Sequence, residues 1–158
     1  MSEKVKAVKQ SRRRANRIAA MQFLYAWEAN PSEVQADGFY TFFENLEKPR
    51  EYFQFGEELA RGAVERLGEV DDKIRKVATN WDFSRIAKVD LAILRLAVYE
   101  LYWRTDIPPV VSINEAIDIG KEFSSEESKR FINGVLDKLK GGLNRPLRTS
   151  VAVEDLGF

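Results

Sequence analysis

At 158 residues, 44% hydrophobic and 32% charged, the chain is sized for one compact domain or two tightly joined halves, and disorder throughout is excluded. It contains no cysteine and no histidine, which removes a disulfide framework, a thiolate nucleophile, a Cys-rich zinc site and every Ser-His or Cys-His catalytic arrangement. Lys plus Arg equals Asp plus Glu at 25 each, so charge informs only through its placement.

The first 17 residues hold Lys4, Lys6, Lys9, Arg12, Arg13, Arg14 and Arg17 against Glu3 alone. A basic arm of this kind is an electrostatic footprint for phosphate, and equally the composition of a solvated tail. Ser11 is a good N-cap, which puts Arg12, Arg13 and Arg14 in a first helical turn. Cations there face the positive end of the helix dipole, so stability alone does not explain them. Ala20, Phe23, Leu24 and Trp27 recur at helical spacing as a core stripe, with Arg14, Ile18, Met21 and Tyr25 on a second face. Asn30-Pro31 ends this helix.

Pro31 and Pro49 read as first-turn prolines, the second opening a long helix through about Ala78. From Glu28 to Asp82, thirteen acids face seven bases, which makes a general phosphate-binding surface unexpected there. Val89 to Trp103 is apolar around almost its whole circumference and marks a central buried helix too short to span a bilayer. Its Arg95 calls for an internal ion pair, with an RNA contact as the other reading. Ser112 with Glu115, and Ser124 with Glu127, have capping-box spacing for two further helices, the last ending at Gly141-Gly142. No period-2 strand is evident, so the fold class is all-α with about seven helices.

Nothing in the chain spells a nucleotide loop: Gly120-Lys121 lacks the upstream glycine and following hydroxyl of a P-loop. Adjacent carboxylates such as Glu57-Glu58 and Asp71-Asp72 diverge by about 100° on a helix and read as solvated surface. No cofactor, metal or catalytic residue is expected. Lys121, Lys129, Arg130, Phe131 and Asn133 are more informative, because unpaired bases stack on rings while cations meet phosphates. Phe131 reads equally as core, packing with Val135 at i+4.

The stretch Ile93-Leu94-Arg95-Leu96-Ala97-Val98-Tyr99-Glu100-Leu101, then Pro108, Ile113-Asn114-Glu115-Ala116-Ile117, Lys121 and Ser128-Lys129-Arg130-Phe131-Ile132-Asn133-Gly134-Val135-Leu136-Asp137 closely resembles the bacterial antitermination factors of the NusB family. Arg13-Arg14, Arg17 and Gln22-Phe23-Leu24-Tyr25 resemble that family's opening helix, so the likeness spans about residues 12 to 140. Asn16 departs from it, standing where an alanine commonly precedes the arginine.

The resemblance implies two small helical subdomains: a flexible basic arm over 1–10, an N-terminal subdomain over 11–80, a C-terminal one over 81–142 and a loose tail over 143–158. It implies a cytoplasmic, non-enzymatic protein that binds the single-stranded boxA element of ribosomal RNA operons. Ribosomal protein NusE is the implied partner, with loading onto RNA polymerase to suppress premature termination, and a homodimer is a candidate state of the free protein. By position, Arg13, Arg14 and Arg17 are expected on RNA phosphates or bases, Lys121 and Lys129 on the backbone, and Phe131 stacked on a base. Tyr25 and Asp90 match positions expected near NusE. Glu127 either tunes RNA affinity or caps its helix. The competing readings are a helical adaptor without specific RNA binding and the NusB-like module of a ribosomal RNA cytosine methyltransferase. The latter needs an α/β cofactor domain and a catalytic cysteine for which this chain lacks room and residue.

Overall fold

The computed structural model describes residues 11–31 and 36–150. The basic residues before Ser11, the segment immediately after Pro31 and the acidic end with Glu154 and Asp155 lie outside the described residues. Among the described residues seven α-helices follow one another: α1 (Arg12–Ala29), α2 (Ala36–Glu44), α3 (Gln54–Glu65), α4 (Leu67–Val77), α5 (Lys88–Trp103), α6 (Pro109–Phe123) and α7 (Glu126–Gly142). Short 3-10 turns at Arg50–Phe53 and Phe83–Arg85 lead into α3 and α5, and there is no strand among the described residues. The all-α expectation holds.

Helix α5 is the axis of the fold. Leu91 to Val98 are buried without interruption, and α1, α3, α4, α6 and α7 all pack against it. The apolar core runs continuously from Phe23 and Leu24 of α1, through Leu59 and Val70, to Leu136 and Leu139 of α7. The α1 stripe forms as read: Ala20, Phe23 and Leu24 are buried, with Phe23 stacked on Phe39 at 4.4 Å between centroids.

The long helix expected from Pro49 to Ala78 is interrupted instead. Pro49 precedes a 3-10 turn, and the helix breaks at Arg66, whose φ of −111° and ψ of 23° leave the α region. The break has a packing reason: α3 buries Leu59, Ala60 and Ala63 while α4 buries Val70 and Ile74, and the change of direction brings both sets into one core. Approach to α5 is close, for a Cβ on Gly62 would lie 2.0 Å from the Tyr99 ring.

Both expected capping boxes are displaced. Helix α6 begins at Pro109, where a missing N–H is harmless, so Ser112 lies inside it and is buried. Helix α7 is capped by Ser125, whose hydroxyl accepts from the Ser128 N–H at 3.1 Å, while Ser124 closes α6. The start of the expected loose tail is docked: Val110 N–H donates to the Leu147 carbonyl at 2.9 Å, and Arg145 donates to the Ile107 carbonyl.

Candidate RNA-binding face

Helix α1 sorts its arginines by rotation, each step of about 100° sending the next side chain to a different neighbour. Ser11 caps the helix, its hydroxyl accepting from the Arg14 N–H at 3.1 Å. Arg12 donates to the carbonyls of Glu51 and Tyr52 at 3.1 and 3.2 Å. Arg13 is exposed, with its guanidinium 4.3 Å from the Phe55 ring centroid. Arg14 turns to α6, donating to Glu115 at 2.7 Å and Asp118 at 2.8 Å. The Glu115 hydrogen bond outweighs partial burial and pushes the Arg14 pKa up.

Arg17 corrects the expectation that it contacts RNA. Its side chain is 2% exposed and grips Glu100 through Nε at 3.0 Å and Nη2 at 2.7 Å, and Ser112 Oγ donates to the same carboxylate at 3.0 Å. Fully desolvated and paired, it has no face left for a ligand. Asn16 is explained by the same geometry. Its amide donates to the Arg12 and Tyr52 carbonyls, its oxygen accepts from the Gly56 N–H at 2.8 Å, and it thereby ties α1 to the start of α3.

Asp118 joins the basic first turn of α1 to Lys121, whose ammonium lies 3.8 Å from the carboxylate one helical turn on. Two of the residues singled out from sequence, Arg14 and Lys121, thus meet around one acid. Helix α6 continues onto α7 where Gly120 faces Ile132. Lys129, half-buried, donates to Glu126 at 2.6 Å. Phe131 is half-buried and meets Trp81 edge-to-face, centroids 4.8 Å apart. Phe131 packs on the core and also lines an open groove.

Of the two expected partner contacts, Tyr25 is 46% exposed on α1, whereas Asp90 is 4% exposed. Asp90 accepts from Ser124 Oγ at 2.9 Å, tying the first turn of α5 to the end of α6. The expectation for Asp90 is thereby corrected, because a buried, bonded carboxylate presents nothing to a partner. Arg95 forms the internal pair expected of it, bidentate to Asp71 at 2.9 Å with Glu28 on the remaining nitrogen.

Sequence reasoning passes over Trp81, which is 55% exposed beside Phe131. Its signal is a lone tryptophan in the polar stretch Thr79 to Asp82, where no core periodicity accounts for it. Sequence reasoning also passes over Arg104, which shares the Phe55 ring with Arg13 at 5.3 Å.

A family model described as the NusB family matches residues 14–140. The chain belongs to the NusB family. It is similar to the transcription antitermination protein NusB of Anaeromyxobacter dehalogenans (strain 2CP-1 / ATCC BAA-258), 46% identical over 140 residues, covering 84% of this chain and 93% of the relative. The NusB protein of Myxococcus xanthus (strain DK1622) is 37% identical over 137 residues, covering 85% and 98%. Among solved structures, T. maritima NusB superposes with a TM-score of 0.73 at 30% identity over 94% of this chain and 99% of that one. A structure of antitermination factors NusB and NusE in complex with dsRNA matches with a TM-score of 0.66 at 26% identity, covering 82% and 96%. In this NusB-family chain the matched span holds Arg14, Lys121, Lys129 and Phe131, and no helix among the described residues is long and apolar enough to cross a membrane.

Proposed function

We propose that this NusB-family chain binds single-stranded boxA RNA of ribosomal RNA operons together with NusE, and that the assembly joins RNA polymerase to suppress premature termination. The observation that carries the reading is the meeting of Arg14 and Lys121 at Asp118, which brings one cation from each of two distant segments to a shared edge. Lys121 is exposed there and available to phosphates, Arg13 is exposed on α1 beside Phe55, Lys129 is half-buried on α7, and Phe131 supplies an aromatic surface. Tyr25 stands as the NusE-side contact, exposed on α1. The similar NusB–NusE complex with dsRNA supports the pairing of these two partners with RNA.

Binding here is electrostatic in its backbone part, so affinity must fall with salt. Fluorescence anisotropy of boxA RNA against scrambled RNA, with and without NusE and at two salt concentrations, tests the reading. Selective binding that tightens with NusE is expected. Arg13→Ala with Lys121→Ala should flatten the logarithmic salt slope by about 0.7 for each phosphate that is no longer neutralised. The internal engagement of Arg14 and Arg17 favours the competing adaptor reading, in which both RNAs bind equally or not at all while NusE still binds.

A further inference from the structure

The first turn of α1, the start of α3 and the residue that follows α5 enclose a cleft of about 310 Å³. Tyr52 and Phe55, both half-buried, form its floor, and Arg12, Arg13 and Arg104 stand around them. The Arg12 guanidinium lies 4.7 Å from the Tyr52 ring centroid, and those of Arg13 and Arg104 lie 4.3 and 5.3 Å from that of Phe55. Against these three cations the lining offers the single carboxylate of Glu58. Arg104 is divided between Glu58 at 3.3 Å and Asp106 at 2.9 Å, while Arg13 is exposed. Asp106 in turn lies within electrostatic range of Arg104, Arg13 and Arg145.

The chain that leaves α7 is delivered to this cleft. Val110 N–H donates to the Leu147 carbonyl at 2.9 Å, Arg145 donates to the Ile107 carbonyl, and Ile107 N–H donates to the Arg104 carbonyl at 3.0 Å. The strap is thus two hydrogen bonds from the rim, and it brings a further cation whose Nε and Nη1 are buried with no hydrogen-bond partner. From Leu147 to Glu154 is a stretch of seven residues, which reaches about 25 Å when extended. The sequence there, Val151-Ala152-Val153-Glu154-Asp155-Leu156, sets two acids between apolar residues, and no cation follows Arg148.

Resting on the RNA-binding reading above, we propose that Glu154 and Asp155 dock in this cleft as an intramolecular competitor of RNA. The tail carboxylates pair with Arg13 and Arg104, its apolar residues pack on Phe55, and RNA must displace it to reach Arg13. The complementarity is specific in charge and in polarity. Two carboxylates match the excess of three guanidiniums over one acid, and an apolar floor beneath a cationic rim suits a segment that carries both kinds of residue. Exposed ion pairs are individually weak, but a short tether holds the acids at a millimolar effective concentration. Such a contact forms in the free protein and yields to a ligand that brings several phosphates at once.

The test uses the full chain with the tail neutralised, Glu154→Gln/Asp155→Asn. Fluorescence anisotropy should show boxA RNA binding about 2- to 30-fold more tightly than to the parent, the release of two exposed ion pairs. Glu69→Gln/Asp72→Asn removes the same charge from the exposed side of α4 and should leave affinity within twofold. In spectra of the 15N-labelled chain without RNA, the Nε resonances of Arg13 and Arg104 should shift between the parent and the tail variant. Resonances that stay in place overturn docking, even where affinity rises. Shifted resonances with unchanged RNA affinity overturn the competition, and equal tightening by the α4 control reduces it to net charge. A parent that binds no RNA refutes the RNA reading and the competition with it, while the resonances still decide whether the tail docks.

Discussion

Removing Arg17 tests whether this residue of the arginine-rich helix serves the core or the ligand. Its guanidinium and the Glu100 carboxylate are each 2% exposed and joined by contacts of 2.7, 3.0 and 3.1 Å. Arg17→Ala leaves Glu100 buried with Ser112 as its remaining hydrogen-bond donor, and an uncompensated buried charge costs about 3 to 5 kcal/mol. For a chain of this length each kcal/mol lowers Tm by about 2 to 4 °C, so the expected fall is about 6 to 20 °C. Denaturant unfolding gives the free energy, and the cycle with Glu100→Leu apportions it. The double variant Arg17→Met/Glu100→Leu replaces both charges with apolar groups and should recover most of the loss, because an unpaired charge and not a missing attraction is what destabilises the single variant. Arg17→Lys should fall between, since an ammonium cannot reproduce the two-pronged contact. A parent-like midpoint for Arg17→Ala, accompanied by weaker RNA binding at temperatures where it is folded, would refute the reasoning and return Arg17 to the RNA surface.

Two further outcomes follow from the packing and the charges. Gly56→Ala would place its Cβ 2.5 Å from the Asn16 carbonyl oxygen, a backbone atom that cannot swing aside, so a loss of about 1 to 3 kcal/mol or more is expected in denaturant unfolding; parent-like stability would show that α1 and α3 can separate freely. Stability should also decline in acid. The Arg50 hydrogen bond lowers the Glu57 pKa and the Arg104 hydrogen bond lowers that of Asp106; for Glu28, burial acts to raise the pKa and is outweighed by Arg95, so the net shift is downward. Carboxylates depressed on folding stabilise fully above their unfolded values, near about 4, and lose that contribution as pH falls through the folded values. Urea midpoints measured from about pH 6 to pH 3 should drop, and Glu57→Gln should shallow the decline; a flat profile would contradict the pairing.

The difference between what the sequence shows and what it hides lies in the range of the contacts. Ser11 as a cap, the Ala20–Phe23–Leu24 stripe, the buried α5 and the end of α1 before Pro31 are set by neighbours within a turn or two, and all are legible as periodicity or capping chemistry. The fate of the arginines is not local. Arg17 finds its partner 83 positions away and Arg14 finds its acids 101 and 104 positions away, so a run that reads as one basic patch is divided among four surroundings. Asp90 escapes a sequence reading for the same reason: its partner, Ser124, comes from another helix and by spacing reads as a cap. Trp81 is hidden because a residue that packs poorly leaves no period to detect.

The division of α1 also shapes what a binding site here can be. A helix whose first turn carries three cations works against its own dipole. Here Arg12 meets backbone carbonyls and Arg14 meets Glu115 and Asp118, which offsets the repulsion and fixes both side chains. Arg13, between them in sequence, is exposed and rests on Phe55. Neighbours held by partners on either side orient the free guanidinium before any ligand arrives, so less side-chain entropy remains to be lost on binding. The same logic places Lys121 against Asp118. Neutralising that acid with Asp118→Asn should therefore loosen Arg14 and Lys121 together. If phosphate binding depends on this ordering, RNA affinity should not rise despite the added net positive charge; a marked tightening would show that charge alone governs the contact.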